Sequence, residues 1–268
     1  MKKFKRPTRP GGGHRPRPQG GPPKRDAQPK GRVVVGIHAV REVLKVRPRA
    51  VSALWIRDRF QDHPDLVELE QMARRAGCKI EAHAPGALDK ITGANQGVVA
   101  FANEQPEIKW TEILNRPRSV LIALDEVEDP HNLGAILRTA WLMGADGVLT
   151  PEHRSASLSP AVSKVAQGAV EHIPLESDHA LPNRLKELKD HDYWILGLSH
   201  EAKQSLTDHK IPEKVVWVLG GESSGLRKSV ASVCDELISI PQSDPGASYN
   251  VSIAAAVAMF ETFRQQRQ

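Results

Sequence analysis

The stretch VLIALDEVEDPHNLGAILRTAWLMGADGVLT, residues 120–150, decides the fold. Its first five residues are an unbroken apolar run, the pattern of a strand buried on both faces. The run stops at Asp125, Pro130 breaks the chain, and Leu133, Ile136, Leu137 and Ala140 then recur at helical spacing. A second apolar run, Gly147–Thr150, follows the predicted helix, Leu133–Met143. Strand, helix and strand in about 30 residues predict a βαβ crossover and hence a parallel sheet.

The alternation continues to the C-terminus. Helices are predicted at Pro160–Gly168, Leu181–Lys189, from Leu226 and at Val251–Arg264, and strands at His172–Leu175, Trp194–Leu198, Val215–Leu219 and Leu237–Ile240. This is an α/β fold, a mostly parallel sheet with helices on both faces, whose ligands belong at the C-terminal strand ends. Upstream, a smaller α/β unit is predicted from a helix at Gly36–Val46, a strand at Ala53–Ile56, a helix at Asp65–Arg75 stopped by Gly77, and strands at Lys79–His83 and Gly97–Ala102. Acidic, polar and proline residues then interrupt the pattern, as a linker with one helical turn would. The expected divisions are a tail at 1–31, a small domain at 32–103, a linker at 104–118 and a larger domain at 119–268.

Charge is unevenly placed. Residues 1–30 hold ten Lys/Arg against Asp26 alone, with seven Pro and five Gly, while the rest of the chain holds 27 Lys/Arg against 31 Asp/Glu. An arm of that composition is expected to be disordered, and its charge to attract nucleic-acid phosphates. Cys78 and Cys234 lie far apart with no CxxC spacing and are expected to be reduced and buried. The chain has no apolar run of bilayer length and no signal-like start, so a cytoplasmic, membrane-free protein is expected. No GxGxxG, P-loop or HExxH occurs, which argues against a dinucleotide-type cofactor turn, phosphoryl transfer and a metal site.

Three motifs share one architecture, strand end to polar loop to helix start. In LDEVEDPHNLGAILRTA, residues 124–140, Asn132 stands where a helix N-cap is expected, Gly134 leaves room for a close neighbour, and Arg138 lies off the apolar stripe and is expected to point toward the strand-end crevice. In VLGGESSGL, residues 218–226, Gly220 and Gly221 permit close backbone approach and Glu222 is expected at a helix entrance. In ISIPQSDPGASYNVSIAAAVAMFE, residues 238–261, Ser248 and Asn250 open an alanine-rich helix expected to pack tightly.

In order and spacing these motifs resemble the SpoU family of RNA ribose methyltransferases, in the SPOUT superfamily of knotted α/β enzymes, over about residues 119–268. Residues 33–103 resemble the RNA substrate-binding domain of its ribosomal-RNA branch. The resemblance implies a C-terminal trefoil knot, S-adenosylmethionine as cofactor, a homodimer, no metal, and methylation of a ribose 2′-hydroxyl, with a guanosine of 23S rRNA as the foremost substrate. Transfer RNA methylation and a non-catalytic RNA-binding assembly role are the alternatives. By position, Gly220, Ile240 and Tyr249 are expected at the cofactor, largely through backbone groups, with Leu198 beside them. Asn132, Arg138, Glu222, Ser248 and Asn250 fall on catalytic or catalytic-shell positions. Tyr249 replaces the family's usual leucine, and Asp244-Pro245 its usual small residues, a change that backbone contacts tolerate. Because a guanidinium rarely releases its proton, Arg138 is expected to support developing negative charge in preference to acting as a base.

Overall fold

The computed structural model describes residues 29–93, 95–222, 224–244 and 246–267. Nearly all of the expected basic arm therefore lies outside the described residues.

The first unit runs β1 (Arg32–Val35), α1 (Ile37–Val46), β2 (Val51–Arg57), α2 (Pro64–Arg75), β3 (Lys79–His83), α3 (Pro85–Leu88) and β4 (Val98–Ala102). Its sheet has the order β1-β4-β2-β3, with β4 antiparallel to both neighbours and β2 parallel to β3. One sheet face packs on α1 and α2 through Val40, Val43, Leu54, Ile56, Leu66 and Leu69. β1 is a strand that periodicity did not reveal, because four residues are too few to show alternation.

A short helix, α4 (Trp110–Ile113), leads to the second unit: β5 (Ser119–Asp125), α5 (Pro130–Leu142), β6 (Gly147–Pro151), α6 (Pro160–Ala166), β7 (Leu175–Asp178), α7 (Leu181–Lys189), β8 (Trp194–Leu198), β9 (Gln204–Ser205), β10 (Lys214–Gly220), α8 (Lys228–Ala231), β11 (Glu236–Ser239) and α9 (Val251–Gln266). The seven strands lie in the order β7-β6-β5-β10-β8-β11-β9, every pairing parallel. Alternate residues of β5 face opposite sides. Ile122 and Leu124 join α5, α6 and α9, whereas Leu121 and Ala123 join α7 and Val230 of α8. Burial on both faces explains why the strands read as continuous apolar runs.

Three details differ from expectation. The strand expected at His172–Leu175 lies three residues later, since a 3-10 turn at Ala169–Glu171 uses up the intervening chain. β9 is two residues long and carries no apolar signal. Cys78 and Cys234 are free, but half-buried where full burial was expected, because each sits in the connection between a helix and the following strand. No helix among the described residues is long and apolar enough to cross a membrane.

Candidate active site

β5 and β10 are paired so that Gly220 lies opposite Asp125, with both strands ending at the same sheet edge. β8 ends beside them at Leu198, and Ile240 directly follows β11. The strand ends of a parallel sheet thus converge on one crevice, as such topology requires.

Beyond β10 the chain doubles back. The Gly225 N–H donates to the Gly221 carbonyl at 3.0 Å, and the two glycines form an isolated bridge. A Cβ on Gly220 would lie 2.1 Å from the Gly225 carbonyl carbon, so no side chain fits there. One on Gly221 would lie 2.6 Å from the Glu126 carbonyl oxygen. The turn is anchored by Asp125, which is fully buried. Its carboxylate accepts from the Arg227 backbone N–H at 2.8 Å and from the Arg227 Nε at 2.7 Å. That carboxylate raises the Arg227 pKa above its ordinary value, burial opposing. Neither Asp125 nor Arg227 was singled out from the sequence; the available signal was an acid directly ending an apolar run.

The crevice is a cavity of about 460 Å³. Leu198, Gly220, Ile240 and Tyr249, the four residues expected at the cofactor, all line it, as do Glu222 and Ser248. Its far wall is the loop before α9, closed by Tyr249 Oη donating to the Pro241 carbonyl at 3.1 Å and by Gln242 Nε2 donating to the Ala247 carbonyl at 2.7 Å.

At the cavity's edge, side chains from three motifs meet. The Asn132 amide donates to the Glu222 carboxylate, and the Asn250 amide donates to the Asn132 side-chain oxygen at 3.1 Å. Asn250 caps α9, its own oxygen accepting from the Ser252 N–H at 2.9 Å and hydroxyl at 2.6 Å. These bonds orient all three groups: Asn132 presents its donor to the acid and its acceptor to Asn250.

Several expectations need correction. Asn132 is not the N-cap of α5. Asp129 is, accepting from the His131 N–H at 2.9 Å, because Pro130 occupies the first helical position. Asn132 is thereby freed for Glu222 and is buried. Glu222 does not stand at a helix entrance, since α8 begins only at Lys228. Gly134 makes room for α6, a Cβ there lying 2.7 Å from the Val165 Cβ. Arg138 does not line the cavity. It is exposed on α5, with no hydrogen bond or ion pair among the described residues. It lies six residues beyond Asn132, a net rotation of about 240° around the helix axis, which turns it away from the buried face that carries Asn132.

The cysteines offer no nucleophile. Burial pushes the Cys234 thiol up to about 11 and also raises Cys78. Among the described residues no three His, Cys, Asp or Glu are grouped to hold a metal ion.

Comparison with known proteins agrees with this geometry. The model of the SpoU rRNA Methylase family matches residues 119–260, and that for RNA 2'-O ribose methyltransferase substrate binding matches residues 33–107. The 23S rRNA (guanosine-2'-O-)-methyltransferase RlmB of Yersinia pestis is 37% identical over 243 residues, covering 87% of this chain and 97% of that protein. RlmB of Pseudomonas putida is 34% identical over 240 residues, covering 87% and 96%. Among solved structures, the SpoU methyltransferase AviRb of Streptomyces viridochromogenes, in complex with AdoMet, superposes with a TM-score of 0.77 at 20% identity, over 88% of this chain and 90% of that one. A chain from a structure describing 2-OH methylation of C/U34 on tRNA superposes with a TM-score of 0.52 at 25% identity, over 57% of this chain and 99% of that one. With both halves matched in order and the three motifs gathered at one strand-end crevice, the chain belongs to the SpoU rRNA methylase family.

Proposed function

We propose that this chain transfers a methyl group from S-adenosylmethionine to a ribose 2′-hydroxyl of large-subunit ribosomal RNA, a guanosine as in its RlmB relatives. The observation that carries the reading is the junction of a small-molecule cavity with the Asn132, Glu222 and Asn250 group. A volume of about 460 Å³ lies within the range of cofactor pockets. Its backbone-rich wall at Gly220, Gly221 and Gly225 suits a ligand held by main-chain groups, with Leu198, Ile240 and Tyr249 around it. When bound, the cofactor supplies a methyl group on a sulfonium.

The chain's own residues then have separable tasks. Glu222, held by Asn132, accepts a hydrogen bond from the ribose hydroxyl and takes up the proton that the oxygen gives up, and Asn250 keeps Asn132 from rotating away. Ser248 adds a hydroxyl at the cavity wall. Arg138 acts from the outer face of α5 as a positive charge for the RNA phosphate next to the acceptor. Alignment of this kind is worth roughly 7–11 kcal/mol in well-oriented reactions.

The working unit in this reading is a homodimer. Leu142 (60% exposed) on α5 and Ile253 and Phe260 (52% and 53%) on α9 are large apolar side chains left in solvent on helices that pack on each other. The domain divisions 32–103 and 119–268, with a linker between, belong to the same reading, as does the implied trefoil knot; β10 inserted between β5 and β8 is consistent with that threading. So does a cytoplasmic site of action, where ribosomal RNA is made.

Ribosomal RNA is favoured over tRNA because the tRNA-linked neighbour corresponds to only 57% of this chain, whereas the RlmB relatives also span the first unit. Ribose-methylation mapping of total rRNA and tRNA, from cells with and without the gene, tests the proposal. One mark lost from large-subunit rRNA is expected; a mark lost from tRNA would replace it with the alternative, and no lost mark would favour the non-catalytic role.

A further inference from the structure

The two units meet through a buried ion group that the methyl-transfer site does not use. Glu171, in the 3-10 turn after α6, is 1% exposed. Arg32 of β1 pairs with its carboxylate: Nη2 donates to Oε2 at 2.9 Å, and Nη1 lies 2.8 Å from Oε1 as an ion pair without hydrogen-bond geometry. Arg47, at the end of α1, donates from Nη2 to the Glu171 backbone carbonyl at 2.7 Å, with its Nε 3.8 Å from Oε2. Arg32 also donates to the Glu104 carbonyl in the connecting segment at 3.3 Å.

Around this group the contact is tight and directional. His172 Nε2 lies 2.7 Å from Glu42 Oε2 of α1, and its ring stacks on Trp141 with centroids 4.2 Å apart. The Val35 N–H donates to Ser163 Oγ at 3.4 Å. A Cβ on Gly168 would lie 2.6 Å from the Glu42 Cγ.

We propose that Glu171 is a positioning residue: pinned between Arg32 and Arg47, it sets the substrate-binding unit at one orientation to the methyl-transfer site and so selects which ribose is methylated. The proposal rests on the RNA methyltransferase reading above. The first unit has its own sheet and its own buried core, so it does not need this contact in order to fold. A buried ion group is also a poor way to add stability, since apolar residues of the same volume usually serve as well. What two guanidinium groups supply that an apolar patch cannot, one donating to the Glu171 carboxylate and the other to its backbone carbonyl, is a fixed angle. An enzyme that holds RNA at one unit and reacts at another measures a distance along that RNA, and the measurement is as sharp as the joint is stiff.

The test compares the full-length protein with Glu171→Gln, which keeps the shape and removes the charge, and Arg32→Lys, which keeps the charge and removes the planar guanidinium. Spin labels at Arg75 and Lys186, in a Cys78→Ser/Cys234→Ser background, report the angle between the units without RNA. A single narrow distance distribution is expected in the parent and a broadened one in both variants. On large-subunit rRNA from cells lacking the gene, the parent is expected to methylate one ribose. The variants are expected to add methyl groups at neighbouring riboses, with KM raised about tenfold, kcat within twofold and unchanged cofactor affinity. Unchanged narrow distances in the variants would overturn the proposal, as would a single methylated ribose at the parental KM. A parent that methylates no rRNA would sink the substrate reading alone, because the label distances still decide the joint.

Discussion

The Asn250 amide donates to the Asn132 side-chain oxygen at 3.1 Å, joining residues 118 positions apart in the chain. The bond ties the start of α9 to the first turn of α5, and through Asn132 it reaches Glu222 after β10. Three strand-to-helix connections therefore act as one polar unit beside the cavity.

Removing the middle of that unit leaves the other two without orientation. Asn132→Ala is expected to lower the single-turnover methylation rate by about a hundredfold, the scale seen when one preorganised polar group is lost at a reacting centre. Asn132 does not line the cavity, so cofactor affinity measured by calorimetry is expected to stay within twofold. An equal loss in affinity and rate would contradict the separation of tasks.

Gly220 tests the cavity. Alanine there collides with the Gly225 main chain, which has to shift, and overpacking of this kind costs roughly 1–3 kcal/mol. Cofactor binding by Gly220→Ala is expected to weaken by about tenfold to a hundredfold. Gly86→Ala, where a Cβ meets nothing within 4 Å, is the control and is expected to bind normally.

The Asp125–Arg227 pair is expected to stabilise the turn only as a pair. Arg227→Met leaves a fully buried carboxylate without its ion partner, at a cost of about 3 kcal/mol in urea denaturation. Adding Asp125→Asn to that variant is expected to restore most of the loss. If the double variant is as unstable as the single one, the charge is not what matters there.

Cys234 carries a pH signature. With its thiol pushed up to about 11 in the folded chain, it is expected to react with iodoacetamide at pH 8 roughly a hundredfold more slowly than an ordinary thiol, and to speed up about tenfold per pH unit toward pH 10. The raised folded value favours the neutral thiol, so its stabilising effect is complete below the unfolded pKa and is lost as pH rises toward 11. Cys234→Ser is expected to flatten that alkaline loss in melting experiments.

Phe260→Asp, on the exposed face of α9, is expected to convert a dimer to a monomer by light scattering without lowering the melting temperature of the monomer. A parent protein that already runs as a monomer would remove the dimer from the proposed function.

The sequence by itself determined the βαβ alternation, because parallel strands buried on both faces must read as apolar runs and amphipathic helices must show their period. Leu181–Lys189 and Trp194–Leu198 end where the pattern ends. It also pointed to the loops that meet at the crevice, since Gly220 ends a strand and Glu222, Ser248 and Asn250 come after strand ends, where such a sheet gathers its ligands. Tertiary structure alone decided the partnerships. Whether Asn132 caps its helix or reaches Glu222 depends on how Pro130 sets the first turn and on β10 lying next to β5, which brings together two side chains 90 positions apart in the chain. That Arg138 faces outward, and that Asp125 holds Arg227, follow likewise from the packing of helices on the sheet. So does the joint at Glu171: the residues that meet there are 139 and 124 positions apart, and no local period encodes a contact of that range.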